Sequence, residues 1–256
     1  MKMIALDLDG TILKSDESIS KRSLATLEKC RKRGILIAIA TARSKFSTKI
    51  FTDFFTPDVL IYDGGTIAAM GDEIIYNRQL EKDFANELIG SILENGYVTF
   101  SAQGDEGYFC NREPRSPYAE RRAQAGYRVE AYNAEIGLDA PIYKVTAVME
   151  ADDSARLAKK YPQLGFISYT GFPYVRIALN DATKEHAVAA VAEHLGICLS
   201  QVVAFGDDFN DIGMLTKCGV GVAMGNAITE VKAVADHITA SNDNDGVAVW
   251  IEENIL

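Results

Sequence analysis

The sequence predicts an α/β protein built on a doubly wound parallel sheet, with an α+β segment inserted in the middle of the chain. Three observations carry that expectation. Ile35–Ala40 is a continuous apolar run, the pattern of a parallel strand covered on both faces. Strand-like and helix-like patterns alternate through the first third, the order that a doubly wound sheet requires. The rhythm changes near Ile67 and returns at Thr183, so residues 1–80 and 175–256 are assigned to the core and residues 81–174 to an inserted second domain.

The elements follow in order. Ile4-Ala5-Leu6-Asp7-Leu8-Asp9 reads as a short apolar strand carrying two aspartates, closed by the turn Gly10-Thr11. Ser20 can cap a helix that places Leu24 and Leu27 on one face and stops at Gly34. The run from Ile35 ends in Thr41-Ala42-Arg43, Phe46, Ile50, Phe51 and Phe54 recur at helical spacing, and Val59–Tyr62 is a third strand. Gly71-Asp72 between two apolar stretches reads as a hairpin turn. The insert offers a helix with Phe84, Leu88 and Ile92, and strands at Tyr97–Phe100, Tyr143–Met149 and Phe166–Tyr169, with loops marked by Gly104, Gly107, Pro114 and Pro117. Beyond it, Thr183-Lys184 opens a helix with Val188, Val191 and Leu195 on one face. Gln201–Phe205 is a strand ending in Gly206-Asp207-Asp208-Phe209-Asn210-Asp211. Weaker strands near Val220–Ala223 and Ile238 precede a last helix carrying Trp250.

Composition narrows the class. The 256 residues suffice for one large or two modest domains, and 48% hydrophobic content supports a real core. A formal charge of −10, from 36 acidic against 26 basic residues, argues against nucleic acid or an anionic membrane surface as the main partner. No apolar run is long enough to cross a bilayer. Asp7 and Asp9 interrupt any signal-peptide core. Four scattered cysteines without a CxxC pair read as reduced thiols, and the expected location is cytoplasmic.

Three strands far apart in sequence end in polar residues: Asp7 and Asp9, Thr41, and Asp207. Ligands of open α/β sheets bind outside the carboxyl ends of the strands, where these residues would meet. Alternation along a strand would put Asp7 and Asp9 on the same face. Two adjacent carboxylates repel, and a hard cation such as Mg²⁺, which takes oxygen ligands, removes the objection. The set answers the needs of phosphoryl transfer. Asp7 can attack phosphorus, Asp9 can protonate the leaving alcohol, Asp207 can complete the metal site, Thr41 can donate a hydrogen bond and Lys184 can supply positive charge.

Asp7-x-Asp9-Gly10-Thr11, Thr41-x-Arg43, Lys184 and Gly206-Asp207-Asp208-x-Asn210-Asp211 resemble, in order, the four motifs of the haloacid dehalogenase superfamily. Ala223-Met224-Gly225-Asn226-Ala227, Val231-Lys232, Ala235-Asp236, Ile238-Thr239 and Asp245-Gly246-Val247 look like its Cof-type branch. The resemblance implies a Rossmann-like core with an α/β cap, Mg²⁺ dependence and hydrolysis of small phosphorylated metabolites, sugar phosphates foremost. It implies that Asp7 is the nucleophile and that Asp9 is the acid/base, with a backbone carbonyl facing the metal. Asp7, Asp9 and Asp207 then hold Mg²⁺, Thr41, Ala42, Lys184 and Asn210 hold the phosphoryl group, and Asp211 supports them. Within the cap, Arg112, Arg115, Lys144 and Tyr169 are candidates to reach the leaving group. Arg43 is open between an ion pair and substrate contact. Asp63-Gly64-Gly65, and Arg176 in the expected return linker, depart from the branch's pattern and bear on substrate identity. A phosphomutase and a receiver-like sensor without turnover are the rival readings.

Overall fold

A computed structural model describes residues 1–52, 54–96, 100–104, 107–110, 123, 128–168 and 174–256. Arg112, Pro114, Arg115, Pro117, Tyr169 and most of the expected strand Tyr97–Phe100 lie outside the described residues. The chain divides into two compact units, Met1–Asn77 with Thr183–Leu256, and Arg78–Ala182.

The first unit is the expected parallel α/β sheet. Its strands are β1 (Met3–Leu6), β2 (Leu36–Ala40), β3 (Val59–Tyr62), β4 (Ile67–Met70), β5 (Glu73–Asn77), β12 (Val202–Gly206), β13 (Val220–Ala223) and β14 (His237–Ile238). They lie in the order β14-β13-β12-β1-β2-β3-β4-β5. The strands from β14 to β3 run parallel, and β4 and β5 close one edge antiparallel. The order reverses at β1, which pairs with β12 on one side and β2 on the other, Leu6 lying opposite Phe205 and Ile39. A crevice at the carboxyl ends of these strands is therefore the place for a ligand.

Local chemistry explains the helices. α1 (Lys21–Lys32) starts where Ser20 accepts a hydrogen bond from the Ser23 amide, and it buries Leu27 and Cys30. α2 is Lys45–Thr52. Phe54, expected on its apolar face, lies beyond its end and is 80% exposed, whereas Phe51 enters the core. The last turn closes before the periodicity reaches Phe54. Within the unit, α5 (Lys184–His194), the short α6 (Ile212–Lys217) and α7 (Thr229–Val234), and α8 (Gly246–Asn254) complete the helices. Trp250 packs edge-on against Phe205 at 5.5 Å, which ties α8 to the centre of the sheet.

Among its described residues, the second unit holds α3 (Lys82–Glu94), α4 (Ala151–Lys160) and six strands. Those strands are β6 (Phe100–Gln103), β7 (Gly107–Cys110), β8 (Arg128–Ala131), β9 (Lys144–Val148), β10 (Leu164–Ser168) and β11 (Tyr174–Leu179), in the order β10-β11-β9-β6-β7-β8. Leu88, Ile89 and Ile92 of α3 share a core with Val145, Ala147 and Ile177. The boundaries fall at 77/78 and 182/183 rather than 80/81 and 174/175. β11 pairs with β10 and β9, so residues 175–179 belong to this sheet and not to the core. Arg176, expected in a linker, is a buried strand residue that donates to the Ala182 carbonyl at 3.0 Å.

Candidate active site

The carboxyl ends of β1 and β12 bring Asp7 and Asp207 together. Asp7 follows β1, and its amide continues the ladder to the Phe205 carbonyl at 3.1 Å. Asp207 follows β12 and Thr41 follows β2. Asp7, Asp207 and Asp211 offer carboxylate oxygens that all lie within 4.8 Å of one another. Lys184, at the first position of α5, is 1% exposed and reaches both Asp7 Oδ1 and Asp211 Oδ1 at 2.7 Å. Its positive charge sits at the positive end of a helix dipole, an unfavourable place that two carboxylates offset.

Asp211 precedes α6, but its side chain makes no cap bond to that helix. Its Oδ2 accepts from the amides of Asp207 at 2.9 Å and Asp208 at 3.1 Å, so one buried carboxylate fixes both the lysine and the Asp207 loop. Asp208 accepts from the Phe209 amide and is not among the grouped carboxylates. The Asn210 Oδ1 is buried with no hydrogen-bond partner among the described residues. Such an atom is costly unless a donor reaches it.

Asp9 differs from the expectation. β1 ends at Leu6, and Leu8–Ile12 form one tight turn closed by the Leu13 amide on the Leu8 carbonyl at 2.9 Å. Asp9 therefore does not share a strand face with Asp7. Its side chain is 53% exposed and stands outside the acidic cluster, so its carboxylate is not among the grouped metal-binding atoms. Arg43 grips it with Nε at 2.8 Å and Nη2 at 2.6 Å, and also reaches Glu17 at 3.1 Å. Arg43 is thus in an ion pair, with its guanidinium stacked on Phe51 at 4.6 Å. Gly10 makes the turn possible. Its φ is +72°, and a Cβ there would stand 2.2 Å from Asp207 Oδ2.

Thr41 is fully buried, and its Oγ1 accepts from the Arg43 amide at 3.1 Å. Ala42 lies between them, half-buried. Asp63 is buried at φ +51°, its amide donating to the Arg43 carbonyl and the next amide, Gly64, to the Thr41 carbonyl. Thr11 carried no role in the sequence reading, yet its buried hydroxyl donates to Asp207 Oδ1 at 2.9 Å. The available signal was a hydroxyl next to the glycine of an acidic turn. His186 bonds Thr183 and is outside the cluster.

The electrostatics are those of a site with too much negative charge. Three carboxyl groups share one ammonium. Burial pushes the Asp7 carboxyl well up, opposed by Lys184 and reinforced by Asp211 and Asp207. Burial, then Asp211, pushes Asp207 up to about 7, against the Thr11 hydrogen bond. Burial would depress the Lys184 ammonium, but Asp211 and Asp7 overcome it and hold it raised. An all-oxygen donor set with surplus negative charge fits a hard divalent cation.

A parallel sheet reversing at β1, with an acidic cluster at its carboxyl ends, is the class of α/β enzyme that binds ligands at a switch point. The chain belongs to the haloacid dehalogenase-like hydrolase family, whose model matches residues 4–251. It is 28% identical over 264 residues (98% of this chain and 97% of the relative) to a protein of Haemophilus influenzae described as a phosphatase. It is also 28% identical over 261 residues (98% and 96%) to the 5-amino-6-(5-phospho-D-ribitylamino)uracil phosphatase of Bacillus subtilis. A solved haloacid dehalogenase-superfamily phosphatase from Bacteroides thetaiotaomicron superposes with a TM-score of 0.83 at 25% identity, covering 99% of this chain and 94% of that one. The enzyme is accordingly a phosphatase of this family.

Proposed function

We propose that the protein is a Mg²⁺-dependent phosphomonoesterase of small phosphorylated metabolites, sugar phosphates foremost, working through an aspartyl-phosphate. The observation that carries the reading is the Asp7–Asp207–Asp211 cluster bridged by buried Lys184 at the switch point. The ribityl-phosphate substrate named for the Bacillus subtilis relative supports the substrate class.

In this reading Asp7, Asp207 and the Asp9 backbone carbonyl hold the metal. Bound Mg²⁺ supplies charge that favours ionised Asp7 and neutralises phosphate oxygens. Lys184 engages Asp7 Oδ1, and the other oxygen attacks phosphorus. As the bond to the leaving oxygen breaks, Asp9 gives that oxygen its proton. Asp9 then takes a proton from water, which attacks the phosphorus of the acyl phosphate and regenerates Asp7 with release of inorganic phosphate. Thr41, Ala42, Lys184 and Asn210 orient the phosphoryl group, the free Asn210 Oδ1 accepting from a water or protonated phosphate oxygen there. Asp211 holds Lys184 and the Asp207 loop in register. Because Asp9 is gripped by Arg43 in this structure, at least one of those bonds opens when Asp9 carries its proton.

Residues 78–182 are the cap in this reading and set specificity, with Lys144 a candidate contact to the leaving group. Exchanging that unit for a relative's should change substrate ranking and leave the chemistry intact. The direct test is phosphate release from a panel of phosphorylated metabolites, with Mg²⁺ and with chelator, beside Asp7→Asn. Metal-dependent release lost in that variant supports the reading. Isomerised product without free phosphate would point to a mutase, and a persistent aspartyl-phosphate to a sensor.

A further inference from the structure

The segment carrying Asp9 is held by two asparagines more than 200 residues away. Asn226 Nδ2 donates to the Gly10 carbonyl at 2.8 Å, and buried Asn242 donates from Nδ2 to the Leu13 carbonyl at 2.8 Å. The two are joined to each other, the Asn242 amide donating to Asn226 Oδ1 at 2.9 Å. Together they grip both ends of the Gly10–Leu13 stretch. Among the described residues, neither side chain is hydrogen-bonded to the acidic cluster.

The surrounding tail braces this pair. The Gly225 amide donates to the Ala240 carbonyl, Lys232 Nζ to the Gly225 carbonyl at 2.7 Å, and Thr239 to the Gly246 carbonyl at 2.7 Å. Residues that carry the tail's sequence pattern thus build a frame for Asn226. Asp243 adds bonds to Ser15 at 2.8 Å and 2.7 Å, exposed like the Asn226 bond to Gly10, whereas the Asn242 bond to Leu13 is buried.

The turn needs such a frame. Asp9 and Gly10 depart from helical geometry within it, with Gly10 at φ +72°, and glycine is the residue with most freedom to lose. A misplacement of about 1 Å in a reacting group can cost about a hundredfold in rate. We propose that Asn226 and Asn242 form a paired clamp that positions the Asp9–Gly10 turn for proton transfer to the leaving group. They are positioning residues, acting through Asp9. The proposal rests on the phosphatase reading for its chemistry and on the hydrogen bonds alone for its structure.

The test compares wild type, Asn226→Ala and Asn226→Asp on two esters. Asp in place of Asn keeps the acceptor for the Asn242 amide and loses the donor to Gly10. p-Nitrophenyl phosphate has a leaving group that needs no proton, whereas ribose 5-phosphate expels an alkoxide that does. Because kcat/KM reports steps through phosphoryl transfer, both variants should lose about tenfold to a hundredfold on ribose 5-phosphate and less than about threefold on p-nitrophenyl phosphate. Amide exchange of residues 8–13 should quicken by about tenfold or more in both variants while β2 stays protected. An equal loss on both esters, or no loss on either, would overturn the role in proton transfer, and unchanged exchange in residues 8–13 would overturn the clamp itself. If wild-type protein releases phosphate from neither ester, the phosphatase reading fails, and the exchange experiment still decides whether the clamp exists.

Discussion

Withdrawing the divalent cation should make this protein less stable as pH rises, the reverse of ordinary acid denaturation. Asp207 is the clearest contributor, because burial and Asp211 lift its carboxyl to about 7 from a reference of 3.8. A folded-state pKa above the unfolded one means that stability is fully present below the unfolded pKa and is lost as pH rises through the folded one. The window runs from about pH 4 to about pH 7, and at about 1.4 kcal/mol per pH unit the full loss is about 4 kcal/mol. Asp7 is raised as well and acts with the same sign. Saturating Mg²⁺ should abolish the slope, and at about a hundredfold over its Kd it adds about 2.7 kcal/mol. The assay is urea unfolding across this window in chelator and in Mg²⁺, for wild type and for Asp207→Asn, which cannot ionise. Cation affinity should fall about tenfold per pH unit below about pH 7, with proton release on binding. If chelated wild type and Asp207→Asn show the same pH slope, the electrostatic reasoning is wrong.

Three further outcomes follow from the same geometry. Lys184→Met leaves Asp7 and Asp211 buried without their ammonium and should cost about 3–5 kcal/mol in chelator, with part of the loss recovered in Mg²⁺; equal losses in both conditions would refute the shared-charge account. Gly10→Ala places a Cβ 2.2 Å from Asp207 Oδ2 at a positive φ, so unfolding assays should show a loss of about 1–3 kcal/mol and titration calorimetry a weaker cation site. Alkylation followed by mass spectrometry should label Cys198, exposed and with its thiol lowered by Ser200, well before Cys218, which burial pushes up to about 12; equal rates would contradict that burial.

What was legible in the sequence was legible because it is repeated locally. The run from Ile35 to Ala40 announces a covered strand, and polar residues at three strand ends must meet once the strands are parallel neighbours. Asp9 misled for a physical reason. Alternation holds only while the chain remains a strand, and β1 stops at Leu6. The short helices α6 and α7 have six residues each, too few to display a period. β11 was split from its sheet because nothing local to Tyr174–Leu179 reveals that its partners are β9 and β10. Arg176 then read as a linker residue, although long-range pairing buries it.

The acidic cluster is better understood as a cost the fold sustains than as a source of stability. Asp7 and Asp207 follow adjacent strands whose register puts Leu6 opposite Phe205, both fully buried in the core. The carboxylates therefore cannot separate without breaking the buried β1–β12 ladder. Asp211 cannot retreat either, since it holds two backbone amides and Lys184. A buried pair of opposite charges rarely repays its own desolvation, and here one ammonium serves two carboxylates with a third beside them. Stability lost at the strand ends is offset by apolar burial along the strands that present them. The same rigidity that makes repulsion unavoidable keeps the oxygens waiting for a cation, so binding requires little reorganisation.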